Sequence, residues 1–392
     1  MKRKPIIYIF AALALYLVSS GLSYAVFTIV GAQPAQVALV PDPSGAPGKF
    51  VIDPSIPRTE KCPLNGKLFT KQERDAWEKV RPLAVMIENH PEARPQSGLS
   101  FADVVYEAVA EGGVTRFMGV FYCGISAYSD IWVAPVRSAR TSYVDWVSEY
   151  DALYNHVGGA GRCDDPTVDE RAKALCQIQK YGIKDLDQFY LKLGPKACRR
   201  NVTRLDHEVA WEHTVECNLK TLYTEAAMRG WTDVDEEGVA WDEAFTSWKF
   251  KEEAGAGGRG TVNSISFVHW DGYDAQFGIR WDYDASSNSY KRSMAGQPHS
   301  DFITKEQLTA KNVVIQFSKE TVGVDEHAHV LYDTLKGDKA LVFLDGQVIS
   351  GTWKKGKRTA RTVFYDEKGK EISFNPGQIW IEVIASGAKI TY

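Results

Sequence analysis

An uncharged, mostly apolar run from Ile6 to Val30, preceded by Lys2, Arg3 and Lys4, sets the first condition on this chain. A helix rises about 1.5 Å per residue, so the run exceeds the roughly 30 Å hydrocarbon core of a bilayer. It predicts a single membrane-spanning anchor. The basic cluster is expected to stay in the cytoplasm, which puts everything after Val30 outside. A cleaved signal peptide is the competing reading, because Ser23-Tyr24-Ala25 offers small residues at cleavage positions. The run continues apolar from Val26 to Val30, which favours the retained anchor. No cysteine lies near its end, which excludes a lipid carried on a mature N-terminal cysteine.

Export has consequences for the cysteines. There are six, Cys62, Cys123, Cys163, Cys176, Cys198 and Cys217. An even number in an oxidising compartment predicts disulfides. Spacing does not choose among the pairings; Cys163 with Cys176 and Cys198 with Cys217 are the local options. Zinc is not expected, because no CxxC pair or close Cys/His grouping appears. Hydrophobic residues at 44% and charged residues at 24% suit ordinary globular cores. A net charge of -4 gives no electrostatic reason to expect a nucleic-acid partner.

The chain divides by composition and periodicity. Residues 1–30 form the anchor or signal segment. Residues 31–60, with Pro34, Pro41, Pro43, Pro47, Pro54 and Pro57, read as an extended linker. Residues 61–245 predict an α/β domain with a mixed sheet. Strands are expected at Leu83–Ile87, Val104–Tyr106, Arg116–Tyr122 and Ile131–Ala134. Helical spacing follows at Tyr143, Val144, Val147 and Tyr150, then a strand from Ala152 to Val157. Strand, helix and strand in this order predict a parallel βαβ unit. Leu219 to Arg229 predicts a helix. Residues 246–392 predict a mostly antiparallel β domain. Its strands are expected at Ser264–Trp270, Val313–Phe317, His327–Tyr332, Ala340–Leu344, Thr362–Tyr365 and Ile379–Ile384, with a hairpin turn at Asp345-Gly346.

Several blocks carry a family resemblance. They include Arg81-Pro82-Leu83-Ala84-Val85-Met86-Ile87-Glu88-Asn89, Glu111-Gly112-Gly113-Val114-Thr115-Arg116-Phe117 and Pro135-Val136-Arg137-Ser138-Ala139-Arg140. Gly351-Thr352-Trp353-Lys354 and Gly377-Gln378-Ile379-Trp380 agree in the second half. The chain resembles the YerB-like family of bacterial envelope proteins over nearly everything after the linker. The resemblance implies two domains of unknown function and an envelope location, and no reaction. Many members resemble lipoproteins with an N-terminal lipid-bearing cysteine, which this chain lacks. Trp211-Glu212-His213-Thr214 stands where a Pro-His-Asn-type block is expected.

The leading candidate site is Arg137, Ser138 and Arg140, between a predicted strand and a predicted helix. Guanidinium groups and a hydroxyl at a helix start suit an anion. His156, Gly158 and Gly159 end the next predicted strand and are expected to line the same crevice, with the glycines admitting a ligand close to the backbone. The competing reading pairs the arginines with Glu107 or Glu111. Carboxylates Glu88, Asp103, Glu107 and Glu111, with Arg116 nearby, form a second candidate, as an acid and base for glycan cleavage, as holders of Mg²⁺ beside a phosphate, or as structural ion-pair partners. His327 and His329 would share one face of a strand, but no third ligand is identifiable, so no metal is expected. Arg199, Arg200, Arg204, His207 and His213 form a basic stretch, read as a solvated loop or an extension of the anion site. Motifs of the GxSxG and phosphate-loop types are absent, and no cofactor is expected. These features predict a membrane-anchored extracytoplasmic protein that binds an anionic or glycan ligand. An envelope-polymer enzyme, either a glycosidase-like hydrolase or a metal-assisted phosphotransferase, is the alternative.

Overall fold

The computed structural model describes Phe50 and residues 52–392. The anchor, the cleavage position and most of the linker lie outside the described residues. Among those described, no helix is long and apolar enough to cross a membrane.

After a short antiparallel ladder of Glu60–Lys61 with Leu68–Phe69 and a short helix at Lys71–Trp77, the first half supplies strands β1 (Leu83–Glu88), β2 (Val104–Glu111) and β3 (Val114–Phe121). Helix α1 (Thr141–Val147), strand β4 (Leu153–His156), helix α2 (Ala174–Tyr181) and strand β5 (Lys184–Asp187) follow. Strands β6 (Cys198–Arg200) and β7 (Val215–Asn218) then lead into helix α3 (Leu219–Ala227), whose first turn is capped by the Asn218 side chain. The second half supplies β8 (Ser264–Phe267), β9 (Ile279–Asp284), β10 (Ser289–Met294) and β11 (Asn312–Ser318). Strands β12 (Lys336–Leu344), β13 (Gln347–Lys355), β14 (Val363–Asp366) and β15 (Ile379–Ala385) complete it.

One ten-stranded sheet takes strands from both halves, in the order β14-β13-β12-β11-β15-β2-β3-β1-β4-β5. Strand β15 lies parallel to both β11 and β2, so the last strand of the chain joins the two halves. The remaining second-half pairs in this sheet are antiparallel. Two-residue turns join the long hairpins: Gly112-Gly113 between β2 and β3, and Asp345-Gly346 between β12 and β13. All four turn residues have positive φ, as hairpin turns of this length require.

Alternation along the strands gives the sheet two buried faces. Ala84, Met86, Tyr106 and Met118 meet Tyr143, Trp146 and Val147 of α1 on one face. Leu83, Val85, Ile87, Val105, Phe117 and Trp380 meet Ile265, Trp281 and Met294 on the other. That second face is covered by a separate antiparallel sheet built on β8, β9 and β10. Trp380 is fully buried between the sheets. Burying an aromatic side chain of about 150–250 Å² contributes roughly 4–6 kcal/mol of transfer free energy.

The structure realises the parallel βαβ path with a different first strand. Trp132–Val133 pairs with β7 in a three-stranded side sheet, and the parallel neighbour of β4 is β1. Between them, residues 136–139 run across the carboxyl ends of β1 and β4. The Arg137 amide donates to Met86 O at 2.9 Å, and the Val157 amide donates to Arg137 O at 3.1 Å. A second unit, β4-α2-β5, carries the parallel pairing to the sheet edge. The run His327–Tyr332 is a strand only at Leu331–Tyr332. The Asp325 carboxylate instead accepts from the amides of His327 and His329, at 3.1 and 3.4 Å, and folds that segment into a turn. His327 and His329 therefore share no strand face.

All six cysteines pair, as Cys62–Cys123, Cys163–Cys176 and Cys198–Cys217. The last two are the local options raised by spacing.

Candidate functional site: an arginine edge at the ends of β1 and β4

Residue 88 of β1 lies directly across from residue 116 of β3, so Glu88 and Arg116 project on the same face of the sheet, toward α1. Residues 136–140 enter beside them. Arg137 Nε pairs with Glu88 Oε2. Arg140 Nε donates to Glu111 Oε2 at 2.9 Å, and the other oxygen of Glu111 pairs with Arg116. Arg116 also donates to the Ser138 carbonyl at 2.8 Å. Five side chains expected from sequence, Glu88, Glu111, Arg116, Arg137 and Arg140, thus form one linked cluster.

The cluster holds three guanidinium groups against two carboxylates. Arg116 and Glu88 are buried, while Arg137 and Arg140 keep side-chain exposures of 24% and 13%. Burial pulls the Arg140 pKa down to about 10, helped by Arg116, with Glu111 acting against. Burial works to raise both carboxylates, but for Glu88 it is outweighed by His213, Arg116 and Arg137, and for Glu111 by Arg116 and Arg140. Both carboxyls end below the ordinary range.

Several expectations are corrected here. Helix α1 has only seven residues, and its N-cap, Arg140, makes no side-chain cap bond. An anion at this edge would therefore depend on guanidinium groups and not on a helix end. Glu107 leaves the cluster, because residue 107 lies opposite Phe117 on the other face of the sheet. Asp103 is also elsewhere, fully inside, accepting from the amides of Tyr122 and Gly124 at 2.7 and 3.0 Å. Gly159 serves packing: a Cβ there would meet Leu175 at 2.9 Å and Ala139 at 3.2 Å. Gly158 has φ +60° and open space at its Cβ position. It lines a cleft of about 860 Å³ with Asp185, Asp187 and Tyr190. The lining mixes Asp164, Asp185 and Asp187 with Arg162 and Lys192, and neither Arg137 nor Arg140 is part of it.

His156 is fully buried, with Nε2 2.8 Å from Asp185 Oδ1 and Nδ1 2.8 Å from Gly158 O. Burial acts to lower its pKa, but Asp185 and Asp187 more than offset this and raise it. A raised folded-state pKa gives stability that is full below the unfolded value of about 6.5 and lost as pH rises through the folded value. The thermal midpoint of His156→Gln should therefore fall furthest below wild type near about pH 5.5, and the gap should narrow by about pH 8.5. Melting curves at both pH values decide this. A gap independent of pH would mean that the ring acts by packing alone.

A second charged cluster went unread in the sequence apart from Glu107. Glu107 and Glu382 are register neighbours on β2 and β15, both completely buried. Arg292 of β10 reaches Glu107 Oε2 at 2.5 Å and lies 3.7 Å from Glu382 Oε1. Thr115 donates to Glu107 at 2.7 Å, Asn89 donates to it at 3.1 Å, and Trp281 donates to Glu382 at 3.0 Å. Burial, then Glu107, pushes the Glu382 carboxyl well up, while Arg292 holds Glu107 down against burial. Of the two carboxyls, Glu382 is the one driven toward its neutral form, and Glu107 is the one that Arg292 reaches most closely. The available signal was a lone Glu382 within the apolar run Ile379–Ile384. A charge in a strand buried on both faces requires a partner.

Comparison with known proteins follows the same architecture. The N-terminal and C-terminal domains described as "Protein of unknown function (DUF3048)" match residues 69–231 and 268–381. YerB of Bacillus subtilis (strain 168), whose name ranks it provisionally as a lipoprotein, is 27% identical over 338 residues, covering 84% of this chain and 88% of its own. The crystal structure of YerB from Bacillus subtilis superposes with a TM-score of 0.66 at 25% identity, covering 85% of this chain and all of that one. The chain belongs to the YerB-like family of proteins built from these two domains of unknown function.

Proposed function

We propose that this protein works outside the cytoplasm, held at the membrane by its N-terminal segment, and binds an anionic group of an envelope polymer at the arginine edge. The observation that carries the binding reading is the surplus of guanidinium over carboxylate among Arg116, Arg137, Arg140, Glu88 and Glu111. Arg137 and Arg140 are the partly exposed members, and the Ser138 hydroxyl lies between them in sequence. Three disulfides and the lipoprotein name of the relative support an extracytoplasmic place. Binding is favoured over glycoside cleavage at this edge, because a general acid needs a raised pKa and both carboxyls are lowered.

Arg140→Ala should weaken binding of pyrophosphate or of a muropeptide fragment by about 1.5–3 kcal/mol, the range for a hydrogen bond to a charged group. Arg140→Lys should also weaken it, because lysine lacks the planar fork. Calorimetry on wild type and both variants measures this. Wild-type protein that binds neither probe would sink the reading.

A further inference from the structure

Glu88 serves two neighbours. The oxygen that pairs with Arg137 also lies 3.5 Å from Nδ1 of His213. His213 is 5% exposed, and this Nδ1 has no hydrogen bond of good geometry. Held toward Glu88, the ring leaves Nε2 as the nitrogen for another ligand. His90 stacks on it, with centroids 4.8 Å apart and planes 12° from parallel. Two residues on, Glu92 is exposed. Pro91 opens the short turn Pro91–Ala93 and restricts how His90 and Glu92 project. One ligand atom from each of His90, Glu92 and His213 lies within 4.8 Å of the other two.

Two imidazoles and one carboxylate make a donor set suited to zinc, whereas magnesium and calcium take oxygen ligands. Metal-bound histidines usually give their second ring N–H to a carboxylate, and the Glu88 carboxylate stands 3.5 Å from Nδ1 of His213, placed to accept that N–H after a small turn of the ring. We propose that His90, Glu92 and His213 form a divalent-cation site of the zinc class, with Glu88 orienting the His213 ring. Bonds of about 2.0–2.1 Å in a tetrahedron space the ligand atoms roughly 3.4 Å apart, so atoms that lie within 4.8 Å of one another close by no more than roughly 1.4 Å on binding. The exposed Glu92 and half-buried His90 have room to move, and His213 stays in place. Three protein ligands leave a fourth position for water or an anion. The site goes beyond the arginine edge and shares only Glu88 with it.

Zinc alone is titrated calorimetrically into the full-length chain in detergent, and cobalt is substituted to report tetrahedral geometry by its visible absorption. A single zinc should bind, with a tetrahedral cobalt spectrum. His90→Ala and Glu92→Gln lie at accessible positions and should leave the circular dichroism unchanged while weakening zinc binding at least about tenfold. Glu88→Gln should weaken it by about 10–100-fold, the usual effect of removing a carboxylate behind a histidine ligand. His327→Ala, at the other close histidine pair, should leave zinc binding intact. Zinc binding that survives both His90→Ala and Glu92→Gln, or that is lost in His327→Ala, overturns the proposal, as does no binding below millimolar zinc. Arg140→Ala, whose carboxylate partner is Glu111 and not Glu88, should keep zinc affinity within about twofold, so failure of the anion reading and failure of this site register separately.

Discussion

Arg292→Ala should destabilise the protein by about 3–5 kcal/mol, the range for removing one partner of a buried ion pair. Arg292 is 0% exposed and faces Glu107 and Glu382, also 0% exposed, between the two sheets. Its removal leaves Glu107 without a guanidinium, beside Glu382 and His269 and held by the Thr115 hydroxyl and the Asn89 amide, and opens a cavity beside Trp380 and Trp281. The thermal midpoint should fall on the order of 10 °C in a domain of this size. Arg292→Met with Glu107→Leu removes both charges together and should recover much of the loss, because no ion is left unpaired. Circular-dichroism melting of the single and double variants checks both steps. A single variant melting within about 2 °C of wild type would refute the buried-pair account.

Removing the Cys62–Cys123 bridge, by Cys62→Ser with Cys123→Ser, should cost about 4 kcal/mol. The estimate comes from loop closure in the unfolded chain, where the bridge spans 61 positions. The Cys163–Cys176 bridge spans 13 positions and should be worth about 3 kcal/mol on the same basis. Both Cys62 and Cys123 are completely buried, so the first loss also includes a packing defect against the core. Denaturant midpoints of the two double-serine variants test the order. A larger loss at Cys163–Cys176 would rule out loop length as the controlling factor. Alkylation of unreduced protein should meanwhile label no thiol.

Local order was largely readable. The strands Leu83–Glu88 and Ile379–Ala385 announce themselves as apolar runs, and Asp345-Gly346 as a two-residue turn, because these signals act over a few residues. The failures have specific causes. Ile131–Ala134 has the composition of a core strand, yet its partner is β7, a choice made by residues far away in the chain. The segment His327–Tyr332 alternates like a strand, but the Asp325 side chain supplies the backbone partners that a sheet would have given.

The candidate site divides in the same way. Arg137, Ser138 and Arg140 stand out in the sequence as a cationic block, and their place near the end of β4 follows from the strand pattern, whereas β1 as the neighbouring strand in place of Ile131–Ala134 does not. Which carboxylates meet them does not. Glu88 faces Arg116 because β1 and β3 are in that register, and Glu107 turns to the opposite face because side chains alternate along β2. His213 reaches Glu88 across more than a hundred residues of chain, and Arg292 reaches Glu107 from the covering sheet. By itself, then, the sequence determined the apolar lead segment, the strand and turn chemistry and the supply of cysteines and arginines, since each depends on neighbours close along the chain. Only the tertiary structure decided which charges are paired, which are buried and which are left facing solvent, because a one-residue change of register would have sent the strand residues Glu88, Glu107, Arg116 and Glu382 to the other face, and Arg137, Arg140 and His213, outside the strands, meet them only through the packing of distant segments.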